Sequence, residues 1–277
     1  MQLRPALRKV AKLKIGFSAV SGAGKTMSSI KVAYGLTGDY KKIGLVDTEA
    51  GSGDLYAHLG EYNVLTLSEF SPEKYIQSII ACEQAGMEVC ILDGITPEWD
   101  FLLGVHSKMS GNSFTNWGVI TPRHDAFINK ILNSTCHIFT TVRRKTEYEI
   151  NKTDGKTSIT KVGLKEQTRE NFEYNLTVNF EIGENHYARA TKDRTELFPV
   201  DEYFILDEEI GRKLRDWANN GTSDTEVLLQ AALIELNNAS NMNGLTLTWN
   251  RFNELQSNET FRAAVKTKQD SFQPKKV

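Results

Sequence analysis

The stretch KIGFSAVSGAGKTMSS, residues 14–29, constrains this chain more than any other. An apolar run over 14–20 leads into a short loop ending in Gly24-Lys25-Thr26, and a helical pattern follows from about Gly24 to Leu36. Backbone N–H groups turned inward at a helix start, with one lysine and one hydroxyl, form a cradle for phosphate oxygens. Gly22 and Gly24 permit the backbone angles of that cradle, Lys25 is spaced to reach β- and γ-phosphates, and the Thr26 hydroxyl to bind Mg²⁺. Residues Ser21, Gly22, Ala23, Gly24, Lys25, Thr26 and Met27 are therefore the candidate nucleotide-binding set. The pattern G-x-x-x-x-G-K-[ST] opens on glycine, and Ala19 stands there instead. One added methyl group is the mildest departure available.

A buried strand that feeds such a loop needs a sheet to sit in, and the chain supplies one. KIGLVDT (42–48), EVCILDG (88–94) and HIFTTVR (137–143) read as further strands. SPEKYIQSIIACEQAG and RHDAFINKILNS (123–134) read as helices between them, the first with proline near its start and glycine at its end. Strands alternating with helices predict an α/β fold, a mostly parallel central sheet covered on both faces. After Arg143 the texture changes. The polar run to Lys165 carries an Asp-Gly turn and reads as an exposed β-hairpin or mobile loop. YNLTVNFEIGENHYARATKD reads as two antiparallel strands turning at GEN. NNGTSD (219–224) is a linker, and SDTE (223–226) is a capping box that opens a helix. The expected organisation is a core over 1–218, then a linker and small helical module over 219–277, with Trp249, Phe252, Leu255 and Phe261 on its apolar faces.

A formal net charge of −2 argues against a chain that coats nucleic acid by bulk charge, and leaves room for a local basic patch. Cys82, Cys90 and Cys136 show no C-x-x-C pairing, so a reducing compartment is expected. No stretch approaches the roughly 20 apolar residues of a membrane helix. The basic N-terminus MQLRPALRKVAKLK lacks the apolar core of a secretory signal. It reads as a solvated arm before the first strand, or as an arm that touches DNA.

Acids close two of the later strands. Asp93 ends CILDG, where it is suited to hold Mg²⁺ through water beside Thr26; the competing reading is a cap on the next turn. Asp47 and Glu49 end GLVDTEAG, and one of them is a candidate to orient and deprotonate an attacking water. Ordinary turn capping is the alternative, above all for Asp47. Two look-alikes drop out. A second GKT at 155–157 has no strand before it and no apolar helix after it. NKTD at 151–154 matches a guanine-recognition motif but follows no buried strand, so GTP is not inferred.

With these residues in place, GLVDTEAG, VCILDG and HIFTTVRRK together resemble the core of RecA-type ATPases. PRHDAFINKILNSTCHIFTTVRRKTEY, KVGLKEQTRENFEYNLTVNFEI and ARATKDRTELF resemble more specifically the phage-encoded RecA-fold ATPases. That group includes Sak-type recombination proteins, which bind single-stranded DNA and assist annealing or strand exchange. The resemblance spans roughly residues 13–206, and TKDRT is its most distinctive segment. It implies an ATP hydrolase with ATP and Mg²⁺ as cofactors, and single-stranded DNA as partner. It also implies a homo-oligomer with ATP at subunit interfaces, in the cytoplasm of a bacterial host that carries the phage or prophage.

By residue, the resemblance implies that Glu49 is the catalytic glutamate beside Lys25, and Asp93 the Walker B aspartate. Thr141 stands where a polar sensor, often glutamine, links γ-phosphate to the DNA loop. The loop from about Arg144 to Lys165 corresponds to a DNA-binding loop with Arg143, Arg144 and Lys145 at its base. Lys192 and Arg194 match positions that reach a neighbour's ATP. Read on their own, Arg143–Lys145 beside TEYE also fit an internally paired surface. Lys152, Lys156, Lys161 and Lys165 alternate with acids, so contact through them would be salt-sensitive. Tyr148 is either a base-stacking ring or a locally packed one. The helical module suits docking on the core or on a partner, for instance a recombination or single-strand-binding protein. Two other functional classes remain open: a nucleotide-gated recruitment module with little hydrolysis, and a motor or loader acting on duplex DNA or a helicase.

Overall fold

The structure, a computed structural model, describes residues 8–153 and 156–272, and of residues 146–164 and 224 it describes the backbone. It divides into two compact units, residues 12–218 and residues 219–277 with 1–11.

The larger unit is built on one sheet. Its strands are β1 (Lys14–Ala19), β2 (Ile43–Asp47), β3 (Asn63–Thr66), β4 (Val89–Asp93), β5 (His137–Thr153), β6 (Lys156–Glu166), β7 (Val178–Ile182) and β8 (Ala188–Asp193). The order is β3-β2-β4-β5-β1-β7-β8, with β6 paired to the outer half of β5. Pairs from β3 through to β7 are parallel. The two additions, β8 on β7 and β6 on β5, are antiparallel. Parallel neighbours require crossovers, and helices supply most of them: α1 (Lys25–Thr37), α2 (Pro72–Gln84), α3 (Thr96–Lys108) and α4 (Ser113–Asn133); α5 (Glu208–Asn219) follows the last strand.

β1, β2 and β4 are buried along their whole length, as expected of strands covered on both faces. On one face Ile15, Phe17 and Ala19 pack with Ile30 and Ala33 of α1 and with Ile210 and Leu214 of α5. Phe17 lies between Phe139 and Phe180, ring centroids 5.4 and 5.8 Å away, so three adjacent strands share one aromatic layer. Burying each such side chain contributes about 1.5–3 kcal/mol. On the other face Tyr75 and Ile79 of α2 and Phe127 and Ile131 of α4 cover Val46, Leu92 and Ile138.

Four elements escape the sequence reading or exceed it. β3 is a four-residue edge strand whose half-exposed residues give no apolar run. α3 and α5 were not anticipated. α4 begins ten residues before the expected start at Arg123: Asn112 caps it by accepting from Phe114 N at 2.8 Å, and Pro122 sits inside it. Pro122, just before the expected start, is an interior residue tolerated on a long packed helix. The Asp-Gly turn of the hairpin, residues 154 and 155, lies outside the described residues.

The smaller unit holds α6 (Asp224–Asn238), α7 (Met242–Arg251) and α8 (Glu259–Ser271). Ser223 and Glu226 form the capping box, and Phe252, Leu255 and Phe261 centre a small core on Ala232. The described end of the N-terminal arm belongs to this unit, with Thr222 N donating to Arg8 O at 2.8 Å and Val10 N to Thr222 O at 3.2 Å. Arg8–Val10 is thus exposed backbone bridged to Thr222.

Candidate functional site

The carboxyl ends of β2, β4, β5 and β1 lie at one edge of the sheet, where open α/β sheets hold their ligands. β1 ends at Ala19, whose methyl group lies in the core with 1% exposure, so the departure from glycine is absorbed as packing. The loop then turns through Gly22 (φ 82°) and Gly24 (φ 91°), both left-handed, which glycine adopts without strain. Lys25 and Thr26 open α1. The Lys25 ammonium donates to Val20 O at 3.1 Å and Ala19 O at 3.5 Å. Burial lowers its pKa, while Glu49 and Asp93 oppose that shift.

Asp93 is 2% exposed at the end of β4. Among the described residues its carboxylate accepts from hydroxyls: Thr26 Oγ1 at 2.9 Å and Thr141 Oγ1 at 2.9 Å. Burial pushes its pKa up to about 6 against those hydrogen bonds. A buried carboxylate with hydroxyl neighbours is a donor set for a hard divalent cation, so the residues present fit Mg²⁺. Thr48 Oγ1 donates to Asp93 O at 2.7 Å and Tyr75 Oη to Gly94 O at 2.7 Å, which fixes the strand exit. Gly94 is required there, since its φ is 101° and a Cβ would collide with Thr48 Oγ1.

The two acids after β2 part company. Asp47 is fully buried and accepts from Glu49 N at 2.7 Å, Gly51 N at 2.5 Å and Ser52 Oγ at 3.3 Å. It is a turn cap, and its carboxylate is consumed by the loop. Glu49 points to the sheet edge, where its Oε1 meets Arg143 Nη2 at 2.5 Å, both side chains being about two-fifths exposed (39% and 46%). Glu49, Asp93 and Arg143 all act electrostatically on Lys25, which places them around one locus.

The remaining candidates are placed less uniformly. Thr141 joins the cluster through Asp93. Arg144 pairs with Glu181 and is only 15% exposed, so its guanidinium is engaged internally. It lines a cleft of 630 Å³ together with Lys165, Glu181 and Lys192. Lys145 is exposed opposite Lys165 in the hairpin register. The side chains of Tyr148, Lys152, Lys156 and Lys161 lie outside the described residues; their backbones pair across β5 and β6. Lys192 and Arg194 stand at the edge where β1 and β7 begin, opposite the phosphate loop, since Asp193 pairs with Val178. Lys192 Nζ donates to Glu173 O at 2.9 Å and to Tyr174 O, and Arg194 Nη2 to Tyr174 O at 2.8 Å. The fold therefore does not bring this pair to its own loop.

One neighbour of the loop was not foreseen. His186, in the turn between β7 and β8, lies with Nδ1 at 3.1 Å from Ala23 O. Nothing local marks it, because the contact joins positions 163 residues apart.

A mostly parallel sheet with helices on both faces, with a phosphate loop after β1, is the α/β architecture expected of the sequence. Among the described residues no helix is long and apolar enough to cross a membrane. No curated protein matches the chain. It is similar to the solved structure of a KaiC-like protein from the hyperthermophilic archaeon Pyrococcus horikoshii, 12% identical over 68% of this chain and 82% of that one, with a TM-score of 0.37. Residues 11–203, which hold the loop, Glu49, Asp93 and Thr141, match the family described as AAA domain. The chain belongs to that AAA domain family of P-loop ATPases.

Proposed function

We propose that the protein is a Mg²⁺-dependent ATPase that assembles as an oligomer and acts on single-stranded DNA in phage-type recombination or replication, in the cytoplasm of a bacterial host. The observation that carries the reading is the course of β5. One strand places Thr141 on the Asp93 carboxylate at 2.9 Å and Arg143 on Glu49 at 2.5 Å, then runs on into the hairpin with Lys145. A nucleotide site and a projecting basic ribbon share a continuous backbone.

In this mechanism the loop amides and Lys25 bind the phosphates, and Thr26 and Asp93 hold Mg²⁺, which when bound neutralises charge on the phosphate oxygens. Glu49 orients the attacking water and takes its proton. Arg143 positions the Glu49 carboxylate. Lys192 and Arg194, remote from their own loop, are supplied to a neighbouring subunit, as arginine fingers are.

The experiment is Glu49→Gln. Turnover falls to background while ATP binding, read by equilibrium dialysis, stays within about three-fold of wild type. Hydrolysis at the wild-type rate in that variant would remove Glu49 from the chemistry. The Glu49–Arg143 pair also favours a second reading, a nucleotide-gated recruitment module whose acid stays tied up and which barely hydrolyses. In that case the wild type itself binds ATP without turnover. Competition between single-stranded and duplex DNA over a salt series separates both from a duplex motor or helicase loader, because hairpin lysines give a salt-dependent affinity for whichever strand form they hold.

A further inference from the structure

The phosphate loop lies between two walls. On one side, across β5 and β4, stand Thr141, Asp93 and Glu49, the end that takes metal and terminal phosphate. On the other side β7 runs parallel to β1, with Ser18 opposite Glu181, so its exit leaves the same edge of the sheet as the loop. The turn Gly183–Tyr187 therefore stands beside the loop on the flank away from the acids.

This turn is shaped with some cost. His186 has φ 66°, a left-handed conformation uncommon outside glycine, which histidine, asparagine and aspartate adopt more often than other residues. It is held there by Gly183 N donating to Tyr187 O at 2.8 Å, His186 N to Gly183 O at 2.9 Å, and Tyr187 N to Asn185 Oδ1 at 3.2 Å. The result brings the imidazole to the loop: Nδ1 donates to Ala23 O at 3.1 Å, which fixes the tautomer with hydrogen on Nδ1. The same nitrogen is 3.4 Å from where a Cβ on Gly24 would stand, so the ring occupies the space the glycine leaves. Both His186 and Tyr187 are solvent-exposed, Tyr187 at 46%, and they are adjacent residues of the turn whose imidazole touches the loop.

A triphosphate whose terminal end lies at Thr26 and Asp93 has its nucleoside on the opposite side. We propose that the Gly183–Tyr187 turn is the nucleoside-side wall of the nucleotide site. His186 clamps the phosphate loop from outside through Ala23, and the His186 and Tyr187 rings offer the face on which the base stacks. The proposal rests on the loop's binding nucleotide. Ion pairing with the phosphates is separate from it, because the wall recognises the half of the ligand that carries no charge.

The test uses the full chain in Mg²⁺ buffer, with ATP and inorganic tripolyphosphate as the base-bearing and base-free probes. Affinities are compared for wild type, Tyr187→Ala, His186→Ala and His186→Asn, with melting curves to confirm folding. Tyr187→Ala weakens ATP about ten-fold and leaves tripolyphosphate unchanged, the loss expected of one stacking contact. His186→Ala weakens both probes, ATP the more. His186→Asn, which restores an N–H donor for Ala23 O but no ring, recovers tripolyphosphate binding and not ATP binding. If ATP and tripolyphosphate change by the same factor in every variant, or in none, the turn is no nucleoside wall. If wild type binds tripolyphosphate and not ATP, the wall fails alone; if it binds neither, the nucleotide reading of the loop fails with it.

Discussion

Two residues apart on one strand exit, Asp47 and Glu49 show how the same chemistry is assigned to opposite uses. Asp47 has no exposed surface, and two backbone N–H groups and a hydroxyl close on its carboxylate. Removing it takes the acceptor from three part-buried donors that hold the turn, which costs about 1–3 kcal/mol. Glu49 is two-fifths exposed and holds one ion pair, a class of contact that contributes about 0–1 kcal/mol. Asp47→Ala is therefore expected to lower the urea midpoint of unfolding by an amount equivalent to about 1–3 kcal/mol, while Glu49→Gln leaves it nearly unmoved and removes turnover. Equal midpoints for the two variants would reverse this division. The presence of both acids at a strand end was legible in GLVDTEAG. Which one faces the phosphates was not, because the sequence does not reveal the turn that consumes Asp47.

At the scale of elements, β5 is one strand announced by two different signals, an apolar run and then a hairpin pattern around an Asp-Gly turn. Its first half is an apolar run, bounded and buried, and the sequence marks it. Its second half is polar and is a strand by virtue of pairing with β6. The start of the strand also carries a pH dependence. Leu13 N donates to His137 Nδ1 at 3.0 Å, so the folded state needs that ring neutral, and burial lowers its pKa to about 3. The unfolded chain takes up the proton near 6.5, the folded chain only near 3. Stability is therefore complete above about 6.5 and falls as the pH drops towards 3, by up to ~1.4 kcal/mol per pH unit. His137→Asn keeps an acceptor for Leu13 N without a titratable ring. Its urea midpoint should fall less between pH 7 and pH 5 than that of wild type, and an unchanged slope would show that another group dominates the acid limb. α3 and β3 stayed hidden because their own patterns are weak or short, whereas α5 was legible and missed, since Ile210, Leu214 and Ala218 recur at helical spacing and are buried.

Across the whole molecule, Lys192 and Arg194 lie at the far edge of the sheet from Lys25, tied to the Glu173 and Tyr174 carbonyls. If they complete a neighbour's site, the defect is separable between subunits. Mixing Lys25→Ala protein with Arg194→Ala protein should restore about a quarter of wild-type turnover in a randomly mixed assembly, because half of each subunit type meets a complementary neighbour. Rescue absent from a mixture shown to assemble would return the pair to a local turn. In that turn the Asp193 carboxylate accepts from Phe198 N at 3.0 Å.

The sequence by itself determined the alternation of strands and helices, the phosphate loop, and the acids at the strand ends that follow it. Those features are written within a few residues of one another, in periodicity and motif spacing, so local chemistry is enough to fix them. Only the tertiary structure decided that Asp47 is a cap, that Arg143 meets Glu49, that Arg144 turns to Glu181, and that His186 closes on Ala23. Each of those depends on strand order and on contacts between distant positions, where a side chain's partner is set by the sheet that carries it.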